Sequence, residues 1–275
     1  MIKQLFFLLY SITLFPLAAQ IGQQGQEVNE SQLYAATKQV NQFFKRFNAE
    51  EDPKGNKLYE GERLYRSEKL RKQYLGMLFN EPSNIPAAQQ LLFGQAIIAG
   101  KQSQFLDFHG DNWFAELNAV FVNNQGKEEN IILFLKLEQQ REGYAWVMFK
   151  ATNDRYKVLF KKDTAASRKF IHPMSHELDF MNLHKAFRSG KNMDYTSDDY
   201  HPDYLSVLLY ELQNEQLKFK TVQSVSFHFF QIEGWYFQIS EYNRPSYNNG
   251  WLISDLTAIR KEDVTVLKSF IYDAH

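Results

Sequence analysis

Apolar residues recur at steps of three and four along the early part of the chain. Leu33, Ala36, Val40, Phe43, Phe44 and Phe47 fall on one face of a helix expected over 32–47, with Ser31 as its cap. Leu64, Leu70, Tyr74, Met77 and Leu78 mark a second helix at about 61–79. A third follows over 86–99 and stops at Gly100. "NAEEDPKGN" and "NEPSNIP" supply the turn residues between them. After Gly100 the pattern becomes strand-like. "SQFLDFHG", "NWFAELNAVFVNN", "NIILFLKLE" and "YAWVMFKAT" read as strands joined by short turns, which favour antiparallel neighbours.

The same order then returns. "DTAASRKF" reads as a short helix, a longer one is expected from Pro173 to Arg188, and "PDYLSVLLYELQN" reads as another. Strands follow in "FKTVQSVSFHFFQ", "WYFQISEY" and "GWLISDLTA". In the first, Val225, Phe227 and Phe229 alternate with Ser224, Ser226 and His228. In the second, Trp235, Phe237 and Ile239 alternate with Tyr236, Gln238 and Ser240. One apolar and one polar face is the mark of a sheet covered on one side. The fold class expected is α+β, with helices packed on curved antiparallel sheet. The repeated order suggests two tandem modules, 31–154 and 155–275. Trp146 and Trp251 take corresponding places in the two runs, and both rings are expected to be buried against the helices.

Composition adds a compartment and removes some partners. The chain has 275 residues, 44% hydrophobic and 16% aromatic, enough for a packed core. A net charge of −1 gives no electrostatic footprint for nucleic acid. Lys3, the apolar run Leu5 to Phe15, Pro16 and "PLAA" form a secretory signal over 1–19, followed by a flexible leader over 20–30. The run is too short to remain as a membrane span after cleavage. With no cysteine in the chain there is no disulfide and no thiolate chemistry. A periplasmic or secreted protein is expected.

Three helices followed by an aromatic meander resemble the cone-shaped α+β fold of the nuclear-transport-factor-2-like superfamily. "NQFFKRFNAEED" at the end of the first helix and the late strand "GWLISDLTA" carry the resemblance, as does a likeness to uncharacterised exported bacterial proteins. It covers 32–152 and, more loosely, 155–260. It implies a pocket between the helices and the concave face of the sheet. The superfamily holds isomerases, dehydratases, epoxide hydrolases and non-catalytic binding proteins, so the fold leaves the function open. No local motif carries the family's functional residues onto this chain.

Candidate chemistry is sparse. "HPMSHELDF" begins like the zinc motif H-E-x-x-H at His176-Glu177, but Phe180 stands where the second His is needed. Asn48, Glu50, Asp52 and Asn56 have the spacing of calcium ligands, but Pro53 and Tyr59 occupy the positions that require Gly and Glu. "MDYTSDDYHPDYL" gathers Asp198, Asp199 and several tyrosines, a setting for paired-carboxylate chemistry, a recognition surface or a solvated loop. There is no G-x-S-x-G elbow and no phosphate-binding glycine loop. His228 on the polar face of its strand is a possible general base, with Tyr236 or Tyr242 nearby. The candidate catalytic residues are therefore His228, Tyr236, His176 and Asp199, and no metal or cofactor is implied. The expected function is that of an exported non-enzymatic binding protein for a small molecule or a protein. The alternatives are a small-molecule isomerase, dehydratase or hydrolase, and an exported inhibitor or immunity-type factor.

Overall fold

The computed structural model describes residues 40–98, 103–161, 181, 183–188, 192–245 and 248–273. The expected signal and leader, and most of the segment around His176, lie outside them. Helices α1 (Val40–Asn48), α2 (Glu68–Leu78) and α3 (Ala87–Ile98) come first. Strands β1 (Trp113–Asn123), β2 (Glu128–Gln140) and β3 (Gly143–Thr152) follow. The second run has α4 (Asp154–Leu159), α5 (Leu183–Arg188) and α6 (Tyr204–Gln213). Then come β4 (Leu217–Phe229), β5 (Trp235–Tyr242), β6 (Gly250–Ala258) and a terminal helix α7 (Val264–Asp273).

The helices-then-strands order does occur twice, but the expected separation near residue 155 is corrected. The two meanders share one six-stranded antiparallel sheet of order β3-β2-β1-β4-β5-β6. β1 pairs with β4 over its whole length, from Trp113 opposite Phe229 to Asn123 opposite Leu217. Lys38–His275 form one compact unit. The helices also cross over. Phe43, Phe44 and Phe47 of α1 pack on Phe229 and Phe237 of the second meander. Leu208 of α6 packs with Ile131, Leu133 and Ala151 of the first. The helical cover is shared between the halves, so neither would bury its whole sheet face alone.

Strong curvature shapes the helix-bearing face. The Trp146 ring on β3 lies 5.9 Å from that of Phe227 on β4, although the strands are three spacings apart, about 14 Å in a flat sheet. Bulges at Asn118/Ala119 and Val120/Phe121 in the central pair help the sheet coil. The opposite, convex face is covered by α7. Phe114, Phe134, Phe230, Tyr236 and Ile271 form a second core there.

Several local expectations change. The second helix begins at Glu68 rather than near 61, because Gly61 and Arg66 take positive φ and Ser67 accepts the Leu70 N–H as N-cap. "SQFLDFHG" is irregular rather than a strand. Trp146 is 38% exposed and Trp251 half-buried, so the expectation of two fully buried rings is corrected. Both sit at the sheet's outer strands, where cover from the helices thins out. Among the described residues no helix is long and apolar enough to cross a membrane.

Candidate functional site

The polar face of β4 carries His228, and the alternation that puts Phe227 and Phe229 on the concave face turns the imidazole to the convex one. The β1–β4 register sets Phe114 opposite His228 and Glu116 two pairs further along, opposite Ser226 and on the same face. Nε2 of His228 lies 3.0 Å from Oε2 of Glu116, and Nδ1 lies 2.9 Å from the Tyr236 hydroxyl. A carboxylate can only accept, so Nε2 carries the proton, and Nδ1 accepts from the tyrosine O–H. Phe114 stacks on the imidazole at 4.8 Å. His228 and Tyr236 are 3% and 5% exposed.

The two sequence-chosen residues His228 and Tyr236 are thus in contact, joined by a Glu116 that the sequence reading missed. One signal for it exists: Glu116 is the single charge in "WFAELNAVFV", and an acid within an apolar strand calls for a partner. The chemistry of the trio is limited by burial. The Tyr236 hydroxyl is held well above its ordinary value, first by burial and then by the charges of Asp255 and Glu116. It stays a phenol and a donor. Both ring nitrogens of His228 are engaged within the protein, which leaves no lone pair for a substrate. A stripe of hydroxyls continues beside it, with Ser226 to Ser240 at 3.3 Å and Ser240 to Ser254 at 3.1 Å.

Asp199 does not join this cluster. It lies exposed in a turn between the 3-10 segment Asn192–Tyr195 and α6. His176 falls outside the described residues. The oxygens of the calcium-like loop are taken up by other protein groups, Glu50 among them by Arg66 at 2.6 Å. Asp52 accepts the N–H groups of Lys54 and Asn56, and the Asn48 side chain turns inward to bond both backbone groups of Leu106. Among the described residues no three His, Asp or Glu side chains are grouped to hold a metal.

A well-formed concavity lies elsewhere. A groove of about 580 Å³ runs between α2 and α3 on the side away from the sheet. Leu75, Gly76 and Phe79 line one wall, and Leu91, Gly94 and Ile98 the other. Its two ionisable groups, Glu68 and Lys72, lie at the rim and pair with each other at 2.6 Å. Arg71 fixes the geometry of the walls. Its guanidinium, 2% exposed, donates to the carbonyls of Phe47 at the end of α1, Ile97 at the end of α3, and Gln104. A cation there suits the negative ends of two helix dipoles. Its pKa is pushed down to about 10, by burial first and by the Arg66 charge second. Comparison with protein-family models, curated sequences and solved structures finds no match to this chain.

Proposed function

We propose that this chain is an exported, non-enzymatic interaction protein that receives an apolar partner in the groove between α2 and α3. One observation carries the reading: the groove has largely apolar walls and, among the described residues, its only ionisable groups, Glu68 and Lys72, are paired with each other. Its volume lies in the range of ordinary ligand sites, roughly 300–1,000 Å³. An enzyme needs an acid or base within reach of a bound substrate. The trio that comes nearest, Glu116, His228 and Tyr236, is closed on itself inside the second core. Export is supported by the sequence of residues 1–19. A cone-like superfamily relationship is favoured by the helices that lie against the concave face.

Dye binding to a groove-filled variant tests this. A Cβ on Gly76 would meet nothing within 4 Å, so a Gly76→Leu side chain starts in open space and occupies the groove. Anilinonaphthalene sulfonate should fluoresce strongly with the wild-type protein at about 1 µM and lose most of that signal with Gly76→Leu. Equal signals from the two proteins would place the dye elsewhere and refute the reading.

A further inference from the structure

The groove's occupant can be read from the pattern of its walls. On α2 and its cap the lining positions include Glu68, Lys72, Leu75 and Phe79, at steps of four, three and four. On α3 they include Ala87, Leu91, Gly94 and Ile98, at the same steps. Such steps keep one seam of a helix facing a neighbouring helix along its length. Two seams are therefore turned toward a common line that no described helix of this chain fills. α3 has no charged residue from Ala87 to Ile98, yet Leu91 is 63% exposed and its neighbour Leu92 is also exposed. Uncharged, exposed and apolar is the composition of an interface core.

We infer that the occupant is the same α2–α3 face of a second copy of this chain, so that two helix pairs close into a four-helix bundle about a two-fold axis. This rests on the reading of the groove as the interaction site. A two-fold interface must be complementary to itself, and this face carries both halves of a fit. Leu91 projects from it, while Gly76 leaves open space on the facing wall. Its charged rim also matches itself. One Glu and one Lys a turn apart let each copy meet opposite charge on the other, whereas a uniformly basic or acidic helix would meet one repulsion for each attraction. A small apolar ligand would use the open space but would leave the projecting leucine in water.

Sedimentation velocity on the full chain at about 1 and about 100 µM decides it. Wild type is expected to shift from monomer toward dimer over this range. Leu91→Glu would place two buried charges in the bundle and should weaken association by roughly 30-fold or more. Leu91 is mostly exposed, so this variant should keep the wild-type circular dichroism, and Leu91→Gln serves as a neutral second variant. Gly76→Leu should also stay monomeric. A wild-type monomer at about 100 µM, or a dimer indifferent to all three substitutions, overturns the inference. If wild type is monomeric but its dye signal is still lost in Gly76→Leu, the groove remains an interaction site and its partner is not this chain. If the dye signal is indifferent as well, the groove reading falls too.

Discussion

Trp146 and Trp251 stand on opposite edge strands of the sheet and rest against the same ring, that of Phe227, at 5.9 and 4.9 Å between centroids. Phe227 is buried, whereas both tryptophans keep solvent contact. The stabilising centre of the curve is therefore the phenylalanine. Phe227→Ala should cost about 3–5 kcal/mol, the range for a buried aromatic. Trp146→Ala should cost less, about 1–2 kcal/mol, because 38% of the residue stays in solvent and only part of its transfer energy is realised. Urea unfolding of the two variants checks the order. A larger loss for Trp146→Ala than for Phe227→Ala would show that the edge, not the centre, holds the curve.

Arg71 joins α1, α3 and the following loop through three carbonyls, with no carboxylate partner among the described residues. Its aromatic neighbours, Phe105 at 4.4 Å and Phe47 at 5.8 Å, cover the guanidinium. Arg71→Met keeps the volume of the stem but removes three donors from carbonyls at the helix ends, of which that of Ile97 keeps, among the described residues, only the Gln104 N–H, so a loss of about 3–5 kcal/mol is expected. Arg71→Lys retains the charge but not the planar fork, and should recover only part of that loss. Equal stability of the Met variant and wild type, by chemical denaturation, would mean that water replaces the guanidinium.

Gly76 stands inside α2 with open space where a side chain would begin. A glycine in a helix interior costs roughly 0.5–1 kcal/mol relative to alanine. Gly76→Ala should therefore raise stability by about that amount, seen as a higher denaturation midpoint with an unchanged slope. A destabilised Gly76→Ala would place another group against this position and so also argue against an open groove.

Alternation made the strands legible where one face is apolar throughout. β5 and β6 occupy the expected positions, and the His228–Tyr236 contact was within reach of the pattern. The pairing of β1 with β4 was not. It joins strands some hundred residues apart, and no local turn records it. Glu116 was hidden for the same reason, since its partner arrives through that register. The start of α2 was misjudged because Leu64 continues the helical spacing through a turn governed by the backbone of Gly61 and Arg66. The terminal helix went unread because Val264, Thr265 and Val266 open it, and β-branched residues weaken a helical signal. There the burial of Ile271 and Tyr272 against Phe114 and Phe134 outweighs local preference.

Buried phenols in the cores set the protein's alkaline limit. Tyr156 and Tyr236 are held well above the ordinary value of 10.0, with burial the first cause in each. The Tyr156 hydroxyl donates to Glu211 at 2.6 Å, and that carboxylate also accepts two bonds from Arg155. Tyr272 is pushed up to about 12 by burial alone. A group whose folded pKa is raised contributes stability that is fully present below its unfolded value and is lost as pH rises through the folded one. Stability should therefore hold up to about pH 10 and fall steeply above it, as the unfolded chain releases phenolic protons that the folded chain retains. Arg71 and Lys268 act in the opposite sense, since a lowered pKa makes their contribution rise with pH, but the raised tyrosines, Tyr74 and Tyr204 among them, outnumber these two. Absorbance at 295 nm during alkaline titration should show these tyrosines ionising together with the loss of circular dichroism, after the exposed ones. Tyr236→Phe should flatten the fall by removing one of the linked protons, whereas independent ionisation of Tyr236 near pH 10 with the fold intact would mean that the hydroxyl is open to water.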